Sequence, residues 1–171
     1  MTSIIRATVE HSSQILQIGK EAWLDAHGHS APKEDIDQYL RKSYTEEAIK
    51  AELLDKNNIY HIIYYGNEAA GFSKIVLNKP NSNIAPQNVT LLDRIYLLNA
   101  FRGKNLGAKL FDFNVNLSKH NSQAGIWLAV WIENEKAIGF YAKLGFEKVG
   151  KYDFPISETH VNPNHIMFLR F

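Results

Sequence analysis

The stretch Asp93-Arg94-Ile95-Tyr96-Leu97-Leu98-Asn99-Ala100-Phe101-Arg102-Gly103-Lys104-Asn105-Leu106-Gly107-Ala108 concentrates residue types suited to holding an anion. Gly103, Asn105 and Gly107 alternate. Glycine, with asparagine next, is what a backbone needs for positive φ or for close approach to a ligand. Leu106, Leu110, Phe113 and Leu117 follow at helical spacing and predict one apolar helix face. The first N–H groups of a helix have no partner inside it. Behind a glycine-containing turn they make a cradle for a phosphate or diphosphate. Arg102, Lys104 and Lys109 add positive charge nearby. A tight strand-to-helix turn with a solvated basic rim accounts for the same residues equally well. Two other phosphate motifs are excluded: neither glycine precedes Lys-Ser or Lys-Thr, and no G-x-G-x-x-G follows the first predicted strand.

A second stretch runs from Trp127 to Phe146. Asn134 lies between a predicted strand and a predicted helix, where it serves well as an N-cap. Ala137 and Tyr141 fall on the same helix face as Asn134. Asn134 can both cap and bind; Tyr141 is either a proton donor or an ordinary packed aromatic. Trp127 and Trp131 share a strand face with Ala129, as core packing or as walls of a pocket. Tyr60, Tyr64 and Tyr65 read as sheet packing. His27-Gly28-His29 has the look of a metal-site fragment but no third ligand at useful spacing, so it reads as an exposed loop, as do His160 and His165 near Pro163. No metal is expected.

These groups need a scaffold, and the chain of 171 residues is long enough to bury one. A hydrophobic fraction of 45% with 22% charged residues suits a globular protein. The net charge of +1 gives no global field toward nucleic acid or an anionic membrane. With no cysteine there is no disulfide, thiolate metal site or Cys nucleophile. No apolar run reaches the length of a membrane span, and no secretory leader is visible, so a cytoplasmic location is expected.

The pattern predicts strands at Ser3 to Val9, Ile59 to Tyr65, Ala70 to Leu77, Val89 to Leu98, Ile126 to Trp131, Gly145 to Val149 and Ile166 to Phe171. Helices are predicted at Glu10 to Ala26, Lys33 to Arg41, Thr45 to Leu54, from Leu106 onward, and Asn134 to Leu144. Residues 78–87, with two prolines, and residues 150–165 are expected as loops. This order implies one mixed α/β domain over residues 1–171, with a largely antiparallel sheet and one β-α-β crossover at its centre.

Together the two stretches resemble the GNAT superfamily of N-acetyltransferases. Its pattern Arg/Gln-x-x-Gly-x-Gly/Ala, entering a helix, reads here Arg102-Gly103-Lys104-Asn105-Leu106-Gly107. Its downstream pattern Asn-x-x-Ala-x-x-Phe-Tyr-x-x-x-Gly-Phe reads Asn134, Ala137, Phe140, Tyr141, Gly145 and Phe146 with every spacing intact. Asn105 departs from the family's usual glycine, but asparagine tolerates positive φ. Within the superfamily the chain looks most like the bacterial polyamine acetyltransferases, through Asp93-Arg94-Ile95-Tyr96, the Trp127-Leu128-x-Val130-Trp131 strand and the paired short helices before Asp55.

The resemblance implies a GNAT-like fold: a sheet of about seven strands flanked by helices, its central strands splayed. It implies acetyl-CoA as co-substrate and a small-molecule amine as acceptor, and it allows a homodimer. The backbone of Ile95, Tyr96 and Leu97 would pair with the pantetheine. The N–H groups of Arg102, Gly103, Lys104, Asn105, Leu106, Gly107 and Ala108 would bind the diphosphate. Asn134 would hydrogen-bond the pantetheine, with Lys136 and Lys143 near the adenosine. Tyr141 would be the acid for the leaving thiolate. Asp93 is the candidate base through water, or else a structural acid paired with Arg94 or Arg102. Glu21, Asp25, Glu34, Asp35 and Asp37 would make an acidic rim suited to a polyamine, or an ordinary solvated helix face. A peptide acceptor, or CoA binding without turnover, are the rival functions.

Overall fold

β-Branched and aromatic residues at Asn58–Tyr65 (β2) form a strand buried through its middle, where Ile62 and Ile63 are fully enclosed on opposite faces. The computed structural model describes residues 1–171. The first strand, Thr2–Arg6 (β1), pairs antiparallel with β2. Glu68–Val76 (β3) returns from the Gly66 turn as its hairpin partner. Thr90–Leu97 (β4) follows, then Gly125–Trp131 (β5), Glu147–Pro155 (β6) and Val161–Arg170 (β7). The seven strands stand in the order β1-β2-β3-β4-β5-β7-β6. Every pairing is antiparallel except β4 with β5, which is parallel.

The helices cover both faces. Ser12–His27 (α1), Lys33–Ser43 (α2) and Glu46–Leu54 (α3) lie over one face. Ile15, Ile18 and Ile49 pack there on Tyr60, Ile62 and Phe72. Thr45 caps α3, its Oγ1 accepting from Ala48 N–H at 3.1 Å. Leu106–His120 (α4) and Glu135–Lys143 (α5) cover the other face, around Leu106, Leu110, Phe111, Tyr141 and Phe146. No helix is long and apolar enough to cross a membrane.

Two details differ from the sequence expectation. Residues 150–165 are mostly strand: β6 and β7 form a hairpin joined across residues 156–160. β6 is an edge strand with mostly exposed polar side chains, so beyond Val149 no hydrophobic pattern marks it. On α4 the innermost stripe is Leu106, Leu110, Asn114 and Ser118, with Phe113 and Leu117 half-buried beside it. The two polar residues fit because each satisfies itself within the helix. Asn114 Nδ2 donates to the Leu110 carbonyl at 2.8 Å and Ser118 Oγ to the Asn114 carbonyl at 2.8 Å.

Candidate active site

The parallel pair β4–β5 is joined only at Thr90↔Ile126 and Leu91↔Trp127. Beyond Leu91 the two strands part and leave a wedge at the centre of the sheet. A bulge at Asp93 begins the parting: Lys74 of β3 pairs with Arg94 while its neighbour Ile75 pairs with Leu92. Leu98 N–H donates to the Ala70 carbonyl at 3.0 Å. In an antiparallel pair bonded residues alternate, so Arg94 and Tyr96 spend their main-chain groups on β3. The main-chain groups of Ile95 and Leu97 therefore face the wedge.

β4 runs through a 3-10 turn at Asn99–Phe101 into the loop before α4. Gly103 has φ 77° and Asn105 φ 59°, both left-handed. A Cβ on Gly103 would meet nothing within 4 Å, so its side faces open space. The Arg102 N–H is used inside the turn, donating to the Asn99 carbonyl at 3.1 Å. The N–H groups of Gly103, Lys104, Asn105, Leu106, Gly107 and Ala108 make no hydrogen bond within the protein, and donation resumes with Lys109 N–H to the Asn105 carbonyl. Six successive free donors stand at a helix N-terminus, whose dipole is itself positive. Buried Leu106 anchors them. The cradle fits the diphosphate of coenzyme A in charge and in donor supply. Lys104 reaches back over the Tyr65 ring at 5.0 Å, and Arg102 pairs with Asp25 at 2.6 Å.

Across the wedge, Asn134 caps α5 through Oδ1, which accepts from Ala137 N–H at 3.2 Å. Its Nδ2 has no protein partner. Lys136 and Lys143 lie exposed on α5. Tyr141 is buried against Phe146 and Phe140. Burial raises its phenol pKa, the nearby Tyr96 pushes the same way, and no hydrogen bond holds the hydroxyl. A phenol in that state stays protonated through neutral pH and keeps its proton available.

Asp93 pairs with Lys74 at 2.9 Å and lies 3.9 Å from the Arg94 guanidinium; Arg102 is turned to Asp25 instead. Lys74 also meets Glu52 of α3 at 2.7 Å, and Arg94 meets Glu52 at 3.1 Å. Tyr60 donates to Glu52 and accepts from Arg94. Two acids and two bases thus balance beneath the bulge. Burial opposes the charge on Arg94, yet the surrounding phenols and carboxylates hold its pKa well above the usual value. Burial likewise opposes the charge on Glu52, but Arg94, Lys74 and Tyr60 bring its carboxyl below the usual range. Sequence reasoning missed Glu52 and Lys74. The available signal was a lysine inside an otherwise apolar strand.

Above this network the phenols of Tyr39, Tyr44 and Tyr96 gather around Arg94. Burial takes the Tyr39 phenol up to about 12. The Tyr44 hydroxyl is buried without a hydrogen-bond partner. Tyr39 stacks on Trp23, and Trp131 meets His27 and His29 at 5.8 and 5.3 Å. Burial, aided by His29, lowers the His27 pKa to about 4. The 28–32 linker is clasped to the β6–β7 connection and the start of β7: His160 Nε2 lies 2.9 Å from the Ser30 carbonyl, and Asn162 Nδ2 donates to Ser30 Oγ at 2.7 Å. Of the five acids expected at the rim, Asp25 is taken by Arg102 and Asp37 by Lys33. Glu21, Glu34 and Asp35 carry no ion pair.

The sequence profile of the Acetyltransferase (GNAT) family matches residues 16–146. An uncharacterized N-acetyltransferase of Lactobacillus delbrueckii subsp. lactis is 25% identical over 155 residues, covering 91% of this chain and 90% of the relative. Among solved structures, the PaiA N-acetyltransferase of Thermoplasma acidophilum in complex with coenzyme A is similar in fold, with TM-score 0.79 and 19% identity, over 100% of this chain and 99% of that one. The ribosomal-protein-S18-alanine N-acetyltransferase of Escherichia coli is similar with TM-score 0.72 and 17% identity, over 99% and 94% of the two chains.

Proposed function

The chain belongs to the GNAT acetyltransferase family and is an acetyl-CoA-dependent N-acetyltransferase, and on that premise we propose that its acceptor is a primary amine on a small cation of the polyamine kind. The observation that carries the coenzyme A half of this reading is the wedge opening at Leu91↔Trp127 beside six successive free amides. Bound acetyl-CoA supplies an acetyl group already activated as a thioester. The amides of Gly103 through Ala108 hold the diphosphate, with Arg102 and Lys104 at its rim. The main chain of Ile95 and Leu97, on either side of Tyr96, extends the sheet to the pantetheine. Asn134 Nδ2 donates to it, and Lys136 and Lys143 flank the adenosine end.

Asp93, paired with Lys74 at 2.9 Å, takes the ammonium proton through water. A main-chain N–H near Leu97 polarises the reacting carbonyl. The Tyr141 hydroxyl gives its proton to the departing sulfur. The unpaired acids Glu21, Glu34 and Asp35 support a cationic acceptor, and the likeness at Asp93-Arg94-Ile95-Tyr96 and Trp127-Leu128-x-Val130-Trp131 supports a polyamine in particular.

Free-thiol release from acetyl-CoA with spermidine, followed in the intact protein and in Tyr141→Phe, tests this. The intact protein releases thiol in proportion to spermidine, and the variant loses turnover while still binding coenzyme A. Thiol release with an S18-like peptide and none with spermidine would overturn the acceptor assignment. Saturable binding of coenzyme A with no thiol release from any amine would leave a binding module without turnover.

A further inference from the structure

β5 lies inside the sheet, paired with β7 along its whole length, and six of its seven residues are buried. The exception is Ala129, which is exposed in the middle of the strand. Successive side chains alternate between faces. Leu128 and Val130 enter the core beneath α4 and α5. Trp127, Ala129 and Trp131 therefore share the face toward α1 and α2.

The roof over that face is built in two parts. Trp131 is covered by His27 and His29 at the end of α1. Trp127 is covered by the 78–87 loop, its Nε1 donating to the Lys79 carbonyl at 2.7 Å, with Ile84 packed beside it. Neither part extends over Ala129, which stands about 7 Å along the strand from each indole-bearing position. The result is a slot over Ala129 alone, since its β7 partner Ile166 is buried with Ile84 and Trp127.

Thr90↔Ile126 and Leu91↔Trp127 fix the register. Carried two residues further, it sets the Asp93 bulge level with Ala129 across the parting strands. A molecule lying over Ala129 thus faces the bulge that carries Asp93, with room for the water between them.

We propose that the slot over Ala129 is the acceptor's channel and that this single methyl group determines which amines enter. The slot admits a primary amine on an unbranched alkyl chain, lying between Trp127 and Trp131 with its nitrogen toward Asp93, and turns away chains branched beside the nitrogen. The inference rests on the N-acetyltransferase reading and adds a specificity-determining residue to it.

The test uses Ala129→Leu and Ala129→Gly beside the intact protein. Coenzyme A affinity is read by calorimetry, folding by thermal melting, and kcat/KM by thiol release with n-butylamine, sec-butylamine and spermidine. In Ala129→Leu the KM for n-butylamine and spermidine rises by about tenfold or more while coenzyme A binds as before. In Ala129→Gly the ratio of kcat/KM for sec-butylamine over n-butylamine rises, and this variant carries the test if the leucine variant does not fold. An unchanged ratio in Ala129→Gly, or weaker coenzyme A binding with unchanged amine KM in Ala129→Leu, overturns the proposal. Failure of the intact protein to transfer to any amine would instead overturn the acetyltransferase reading on which it rests.

Discussion

Arg102 and Asp25 close a 2.6 Å ion pair that ties the start of the glycine-containing loop to the last turn of α1. Asn99 Nδ2 joins it, donating to Asp25 Oδ1 at 2.8 Å. These hydrogen bonds, with the positive charges of Arg102 and Lys136 behind them, hold the Asp25 carboxyl below its usual range. Arg102 also borders the region assigned to the diphosphate, so Asp25 competes with the incoming anion for it. Asp25→Asn removes the competing charge and keeps a side chain of the same shape. Coenzyme A should bind a few-fold more tightly at low salt, with the gain fading as salt screens it. Weaker binding at low salt would show that Asp25 organises the loop rather than competing for it.

Gly103 and Asn105 are left-handed, and the free amides depend on both. Asn105→Gly relieves a conformation that asparagine merely tolerates, so coenzyme A binding should be kept or improved. Asn105→Val imposes a β-branched residue on that φ at a cost of about 1–2 kcal/mol, and binding should weaken by about tenfold. Calorimetry on both variants checks the order.

Tyr141→Phe removes a hydroxyl that makes no protein hydrogen bond, so the melting temperature should stay close to that of the intact protein. Turnover should fall by about 10²–10⁴-fold, the usual contribution of a positioned acid. Because burial raises the phenol pKa, the acid form persists as pH rises. The intact enzyme's kcat should therefore climb with amine deprotonation and show no alkaline decline up to about pH 10, the ordinary phenol value.

Glu52 accepts from Tyr60 and faces both Lys74 and Arg94. Glu52→Ala leaves two largely buried cations with Asp93 alone, and the fold should lose about 3 kcal/mol in denaturant unfolding. A loss below about 0.5 kcal/mol, the scale of an exposed pair, would mean that the network is solvent-screened.

His61 is buried on Phe113 with its Nδ1 unpartnered. Burial, then the charge of Arg6, lowers its pKa to about 4. The unfolded chain binds this proton more readily than the folded one, so stability is complete above about pH 6.5. It falls as pH drops from there toward 4, by on the order of 2 kcal/mol. His61→Leu should flatten this part of the profile in urea unfolding between pH 7 and 4.5.

Much of this architecture was legible because local chemistry and tertiary role coincide. Gly103 and Asn105 mark a turn by their backbone freedom, and the same freedom leaves its amides open. Asn134 marks a helix start by capping it, and capping uses only its oxygen. The apolar strands β2 to β5 announced themselves by composition. Only the start of β6 did, within the strand expected at Gly145 to Val149; its continuation through Lys151, Tyr152 and Asp153 did not, since an exposed edge carries no apolar period. Nor did the Glu52–Lys74–Asp93–Arg94 network, whose members come from three elements and meet only through the bulge in β4. The exposure of Ala129 was invisible for the opposite reason: an alanine between tryptophans reads as core, and only the parting of β4 from β5 uncovers it.

The central claim is that main-chain donors of residues 103–108 grip a diphosphate. Calorimetric titration of the folded protein with coenzyme A and, separately, with pantetheine, which lacks the diphosphate, tests it most directly. Saturable binding of coenzyme A, with pantetheine weaker by about a hundredfold or more, is the predicted result. Equal affinity for the two, or no heat from coenzyme A, would contradict it.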